Sequence, residues 1–110
     1  MPILTTSTLL YVQSIPILLN GIVTLVSPET VAVPGTPKVA LHLISILSLS
    51  LGIGYIVAAQ APAATRRKFM LASVPLRGLA VSLFWADGEI GTVIWEGSMA
   101  VVNTAAALLL

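Results

Sequence analysis

Arg77 lies in the apolar run LASVPLRGLAVSLFW and Glu96 in the run IGTVIWEGSMAVVNTAAALLL, each greasy and long enough to cross a bilayer. An ionisable side chain at bilayer depth costs at least about 2.5–3.5 kcal/mol, so it persists by pairing, by facing water or by doing chemistry. Two arrangements meet that requirement. In the first, Arg77 and Glu96 form an intramembrane ion pair that fixes how their segments pack, while Asn20 and Asn103 make interhelical hydrogen bonds. In the second, they line a cavity together with His42 and Asp87, and Glu96 exchanges a proton with a bound molecule. A carboxyl in an apolar pocket can act as a general acid or base near neutral pH, whereas an adjacent guanidinium favours its charged form. The two arrangements therefore differ in the protonation of Glu96.

On the second arrangement, Glu96, His42 and Asp87 are the candidate catalytic residues. Arg77, Asn20, Trp95 and Trp85 are the candidate substrate contacts. Each has a plainer role beside it. His42 close to a membrane interface is more often hydrogen-bonded or snorkelling than catalytic. Asp87 and Glu89 read first as solvated turn residues, and the tryptophans as an interfacial belt. No metal or cofactor is expected: one histidine and no cysteine make a transition-metal or haem site improbable. Gly-rich phosphate loops, G-x-S-x-G elbows and H-E-x-x-H helices are all absent from the sequence.

These residues need elements to hold them, and composition sets what the elements are. Of 110 residues, 57% are hydrophobic and only 8% charged, with a mean hydropathy of +1.05. Soluble domains carry roughly 25% charged residues, so a soluble fold would have almost nothing to place on its surface. A net charge of +1 leaves no electrostatic footprint for nucleic acid. With roughly 20 apolar residues needed per crossing, the chain accommodates four spans. The expected fold is all-α, an integral membrane four-helix bundle forming a single transmembrane domain. The N-terminal run carries no basic n-region and reads as the first span, not as a cleaved signal.

The spans fall at about residues 7–26, 39–59, 69–85 and 92–110. Pro16 interrupts the first, where a bend is expected. The segment SPETVAVPGTPK, with three prolines and a glycine, is a loop. In the second span, Ser48 with Gly52 and Ser50 with Gly54 make small-x-x-x-small spacings that admit a neighbouring helix, and Tyr55 suits an interfacial anchor. Arg66, Arg67 and Lys68 make the next loop the basic one. Counting Lys and Arg places that loop and both termini in the cytosol, where the cluster also meets anionic lipid headgroups. At a rise of about 1.5 Å per residue, Glu96 lies roughly 6–9 Å and Arg77 roughly 12–14 Å below the opposite surface. Asn20 lies at a comparable level, His42 near the surface, and Asp87 at the rim.

MPILTTSTLL, AAQAPAATRRKFMLASVPLRGLAVSLFW and IWEGSMAVVNTAAALLL resemble small four-span membrane proteins of filamentous fungi, some encoded beside secondary-metabolite enzymes. Pro75 with Arg77, and Trp95 with Glu96, carry the likeness most sharply. A weaker likeness is to larger membrane-bound fungal terpene cyclases, which use intramembrane carboxylates to protonate an olefin or epoxide; no residue is carried over from them. The expectation is a membrane enzyme or auxiliary factor in the biosynthesis of a lipophilic metabolite, running acid–base isomerisation, cyclisation or epoxide opening in the endoplasmic reticulum. Its partners would be membrane lipids and a lipophilic small molecule. The alternatives are a non-catalytic subunit that binds another membrane protein, or itself, through the Ser/Gly face of the second span, and a metabolite transporter.

Overall fold

The computed structural model describes residues 4–110, so the first three residues of MPILTTSTLL lie outside the described residues. The fold is all-α. Four long helices follow in order: α1 (Thr6–Val26), α2 (Lys38–Ala59), α3 (Ala63–Ala86) and α4 (Ile90–Leu109). All four are long and apolar enough to cross a membrane, and the protein is accordingly an integral membrane protein.

The chain divides into two compact units. One is the hairpin Ser7–Gln60, containing nearly all of α1 together with α2; the other is Ala61–Leu110, containing α3 and α4, joined by the described residues 4–6. In the first unit, α1 and α2 run antiparallel: Ser7 Oγ donates to the Ala59 carbonyl at 2.7 Å, and Asn20 Nδ2 donates to Ser48 Oγ at 3.0 Å. Glycines bring these helices close. A Cβ on Gly52 would lie 2.5 Å from Leu18 Cδ2, and one on Gly21 would lie 2.8 Å from Leu49 Cγ and 3.1 Å from the Leu49 backbone nitrogen. The Ser48–Gly52 spacing, expected to admit a neighbouring helix, receives α1 within the hairpin. Tyr55, expected at the interface, is buried at 2% exposure. It shares one stripe of α2 with buried Gly52, Ala58 and Ala59.

Both proline-containing helices continue through Pro16 and Pro75. A mid-helix proline frees the carbonyl four residues back, here those of Val12 and Leu71, and the serine hydroxyls bond the carbonyls next to them. Each proline is preceded by Ser at the second position before it. Ser14 Oγ donates to the Tyr11 carbonyl and Ser73 Oγ to the Met70 carbonyl, both at 2.6 Å.

In the second unit, α3 starts six residues before the expected span. Arg66, Arg67 and Lys68 consequently lie on its first two turns and not in an irregular loop. At its other end, Gly88 adopts φ +79°. Glu89 N donates to the Phe84 carbonyl and Gly88 N to the Trp85 carbonyl, at 2.9 and 3.1 Å. This Schellman closure needs the left-handed residue that glycine supplies, and it reverses the chain into α4 within three residues.

Candidate functional site: an intramembrane ion pair

Four polar side chains of the second unit line up because helical spacing leaves them no alternative. On α3, Ser73 precedes Arg77 by four residues; on α4, Asn103 follows Glu96 by seven. Residues so spaced share a face. Where antiparallel α3 and α4 meet, the two faces form successive rungs. Arg77 Nη1 donates to Glu96 Oε2 at 2.9 Å. Farther along, Asn103 Nδ2 donates to Ser73 Oγ at 3.2 Å. Fully buried Met70 lies one turn beyond Ser73, at the level of buried Ala106 and Ala107. At the end of the hairpin, Arg67 Nη2 donates to the Leu110 main-chain oxygen at 2.8 Å.

Arg77 is ten residues from both Arg67 and Asp87, or about 15 Å along the helix in either direction. That is mid-bilayer for hydrocarbon about 30 Å thick. The depths read from sequence separated Arg77 and Glu96 by several ångströms, a gap that the length of the arginine side chain closes.

The pair is asymmetric. The Arg77 side chain is 7% exposed and that of Glu96 21%. The guanidinium is enclosed, while the carboxylate opens toward the outside of the unit and meets Arg77 through one of its two oxygens. Beginning one turn along α4 from Glu96 is an open groove of ≈ 400 Å³, lined by Ala100, Val101, Thr104 and Ala105. Small side chains hollow the helix surface there, and the Thr104 hydroxyl turns inward to the Ala100 carbonyl at 2.7 Å, which leaves the hollow apolar.

Asp87 is exposed at the C-cap of α3, and no hydrogen bond or ion pair among the described residues joins it to Glu96. Trp85 is 66% exposed near the same end, as an interfacial belt requires; Trp95 is half-buried beside Glu96. His42 is exposed in the second turn of α2, and Asn20 is bonded to Ser48, both in the first unit. The interhelical hydrogen bond expected of Asn103 is the one to Ser73; Gln13 is also buried, and Ser45 is fully buried with no hydrogen-bond partner for its hydroxyl among the described residues. The four-residue spacing of Ser73 and Arg77 was the signal for the Asn103 rung, once the faces of α3 and α4 were known.

Among the described residues, no three His, Asp or Glu side chains gather as a metal site. Comparison with family models, curated proteins and solved structures finds no match.

Proposed function

We propose that this protein is a small membrane-embedded factor that acts on a lipophilic metabolite, with Glu96 as its proton-exchanging group. The observation that carries the reading is the pair itself: an enclosed arginine at mid-span meets a partly exposed carboxylate through one oxygen, and a shallow apolar groove begins one turn farther along α4. Arg77 positions Glu96. Ala100, Val101, Thr104 and Ala105 take an apolar segment. The reaction classes that suit one carboxyl in an apolar site are isomerisation, cyclisation and epoxide opening. Asp87 lies about 15 Å along α3 from Arg77. The fungal likeness, an endoplasmic reticulum location and cytosolic termini belong to the same proposal.

Its test is a mass-spectrometric metabolite profile of cells with and without the protein, carrying Glu96→Gln and the double variant Arg77→Met/Glu96→Gln in parallel. The double variant removes the carboxyl without stranding the guanidinium, a replacement that is often neutral for stability. A normal level of the double variant with a missing product and an accumulated precursor supports chemistry at Glu96. Restoration of the product by the double variant sinks that role.

The second reading is a non-catalytic subunit, and one observation favours it. Ser50 is exposed, and no atom lies within 4 Å of a Cβ built on Gly54. These two keep a small-x-x-x-small spacing available after Ser48 and Gly52 have been used internally. An unchanged metabolite profile, with co-purification of a membrane protein that Gly54→Leu abolishes, would establish this reading in place of the first.

A further inference from the structure

The ionisable groups of the α3–α4 unit are sorted by height. Asp87 and Glu89 stand at one end, the Arg77–Glu96 pair at the middle, and Arg66, Arg67 and Lys68 at the other end. From Arg67 to Asp87 is twenty residues, or about 30 Å of helix, which matches the hydrocarbon thickness of a bilayer. When the acidic turn sits at one headgroup layer, the three cations sit at the other.

Two of those cations are held in place by groups that are not side-chain carboxylates. Arg66 Nε donates to Thr6 Oγ1 at 2.8 Å and its Nη1 to the Ala61 carbonyl at 2.6 Å. Arg67 Nη2 donates to the Leu110 main-chain oxygen at 2.8 Å. Lys68 is exposed, and so is Arg67. The unit's only ion pair among the described residues is the one at mid-span, so its acids do not neutralise this end. Ordering has already been supplied by the hydrogen bonds, which lowers what a ligand must spend on fixing these side chains.

We propose that the first two turns of α3 form a headgroup site for an anionic phospholipid, its phosphate held by the exposed Arg67 and Lys68. A basic cluster directly beyond a span gains about 1 kcal/mol per cation from an anionic leaflet. A single bound lipid on this preorganised cluster is the local form of that attraction. Headgroup binding also ties α3 to the end of α4 through Arg67.

The test uses the intact protein purified in a neutral detergent. Its unfolding midpoint is followed while phosphatidylglycerol or phosphatidylcholine is titrated in, at low and high salt. Phosphatidylglycerol should raise the midpoint at lower concentration than phosphatidylcholine, and salt should weaken the difference. Lys68→Gln, which removes no hydrogen bond seen in the structure, should weaken the phosphatidylglycerol effect about fivefold, and Arg67→Gln/Lys68→Gln should abolish most of it. Lys38→Gln, on α2, should change nothing. Equal stabilisation by phosphatidylcholine would overturn the proposal. So would an undiminished effect in Lys68→Gln, or an equal shift from inorganic phosphate alone, which would identify a free-anion site in place of a lipid one.

Discussion

A guanidinium and a carboxylate paired at mid-span have unequal exits when one is removed. A carboxyl can take up a proton and shed its charge, whereas arginine stays protonated. Breaking a buried pair costs about 3–5 kcal/mol because it leaves an uncompensated charge. Glu96→Gln, which strands the enclosed Arg77, should therefore fall at that upper scale and lower the unfolding midpoint in detergent markedly. Arg77→Gln should cost clearly less, since the Glu96 left behind is more exposed than Arg77. Equal losses would show that the asymmetry of enclosure has no energetic weight. The Asn103–Ser73 rung is a neutral bond at full burial. Asn103→Ala should cost about 0.5–1.5 kcal/mol, in the range of interhelical hydrogen bonds in membranes, and Asn20→Ala should cost less because Asn20 is exposed. That Arg77 and Glu96 required compensation was legible from their types and surroundings. That they compensate each other was not.

At the scale of the helix, approach distance is set by glycine. Gly52→Ala places a Cβ against Leu18, and Gly21→Ala places one against both the side chain and backbone of Leu49. Overpacking of this kind costs about 1–3 kcal/mol, so each should lower the unfolding midpoint. Gly54→Ala meets nothing within 4 Å and replaces a poor helix former with the best one, so it should be neutral or stabilising by up to about 1 kcal/mol. If Gly54→Ala proved as harmful as Gly52→Ala, the assignment of the inward face would be wrong. Both glycines sit in equivalent small-x-x-x-small spacings, and the sequence offered no means of telling the used one from the free one. The start of α3 shows a related limit. Hydropathy marks where apolar residues begin, but Ala63–Lys68 has good helix formers and Pro62 before it, so the helix extends beyond the greasy stretch.

For the whole molecule, the distribution of side chains is turned inside out relative to a soluble protein. Thr6, Gln13, Ser14, Thr24, Ser45, Arg77 and Asn103 are buried, while Leu19, Leu47, Leu79 and Val101 are more than half exposed. Hydrocarbon as solvent rewards this pattern, since large apolar side chains lose nothing by facing lipid and polar ones must find partners inside. Because the chain has no cysteine, its orientation can be read by single substitutions. Cysteine introduced by Gly35→Cys or Gly88→Cys should react with a membrane-impermeant thiol reagent from the non-cytosolic side. Ala64→Cys should react from the cytosolic side, as the Lys and Arg distribution implies. The opposite pattern would invert the topology.

The class of the protein and its four crossings were determined by the sequence alone, because the free energy of moving a segment into hydrocarbon sums over some 20 consecutive residues. The turn at Gly88 was likewise local, resting on one residue that tolerates a positive φ. Which faces meet was decided only by tertiary structure. The rotation of a helix about its axis follows from close packing with residues far away in the chain: Leu18 against Gly52, Leu49 against Gly21, Asn103 against Ser73. Those contacts turned Tyr55 inward, left Ser50 and Gly54 outward, and brought Arg77 to Glu96.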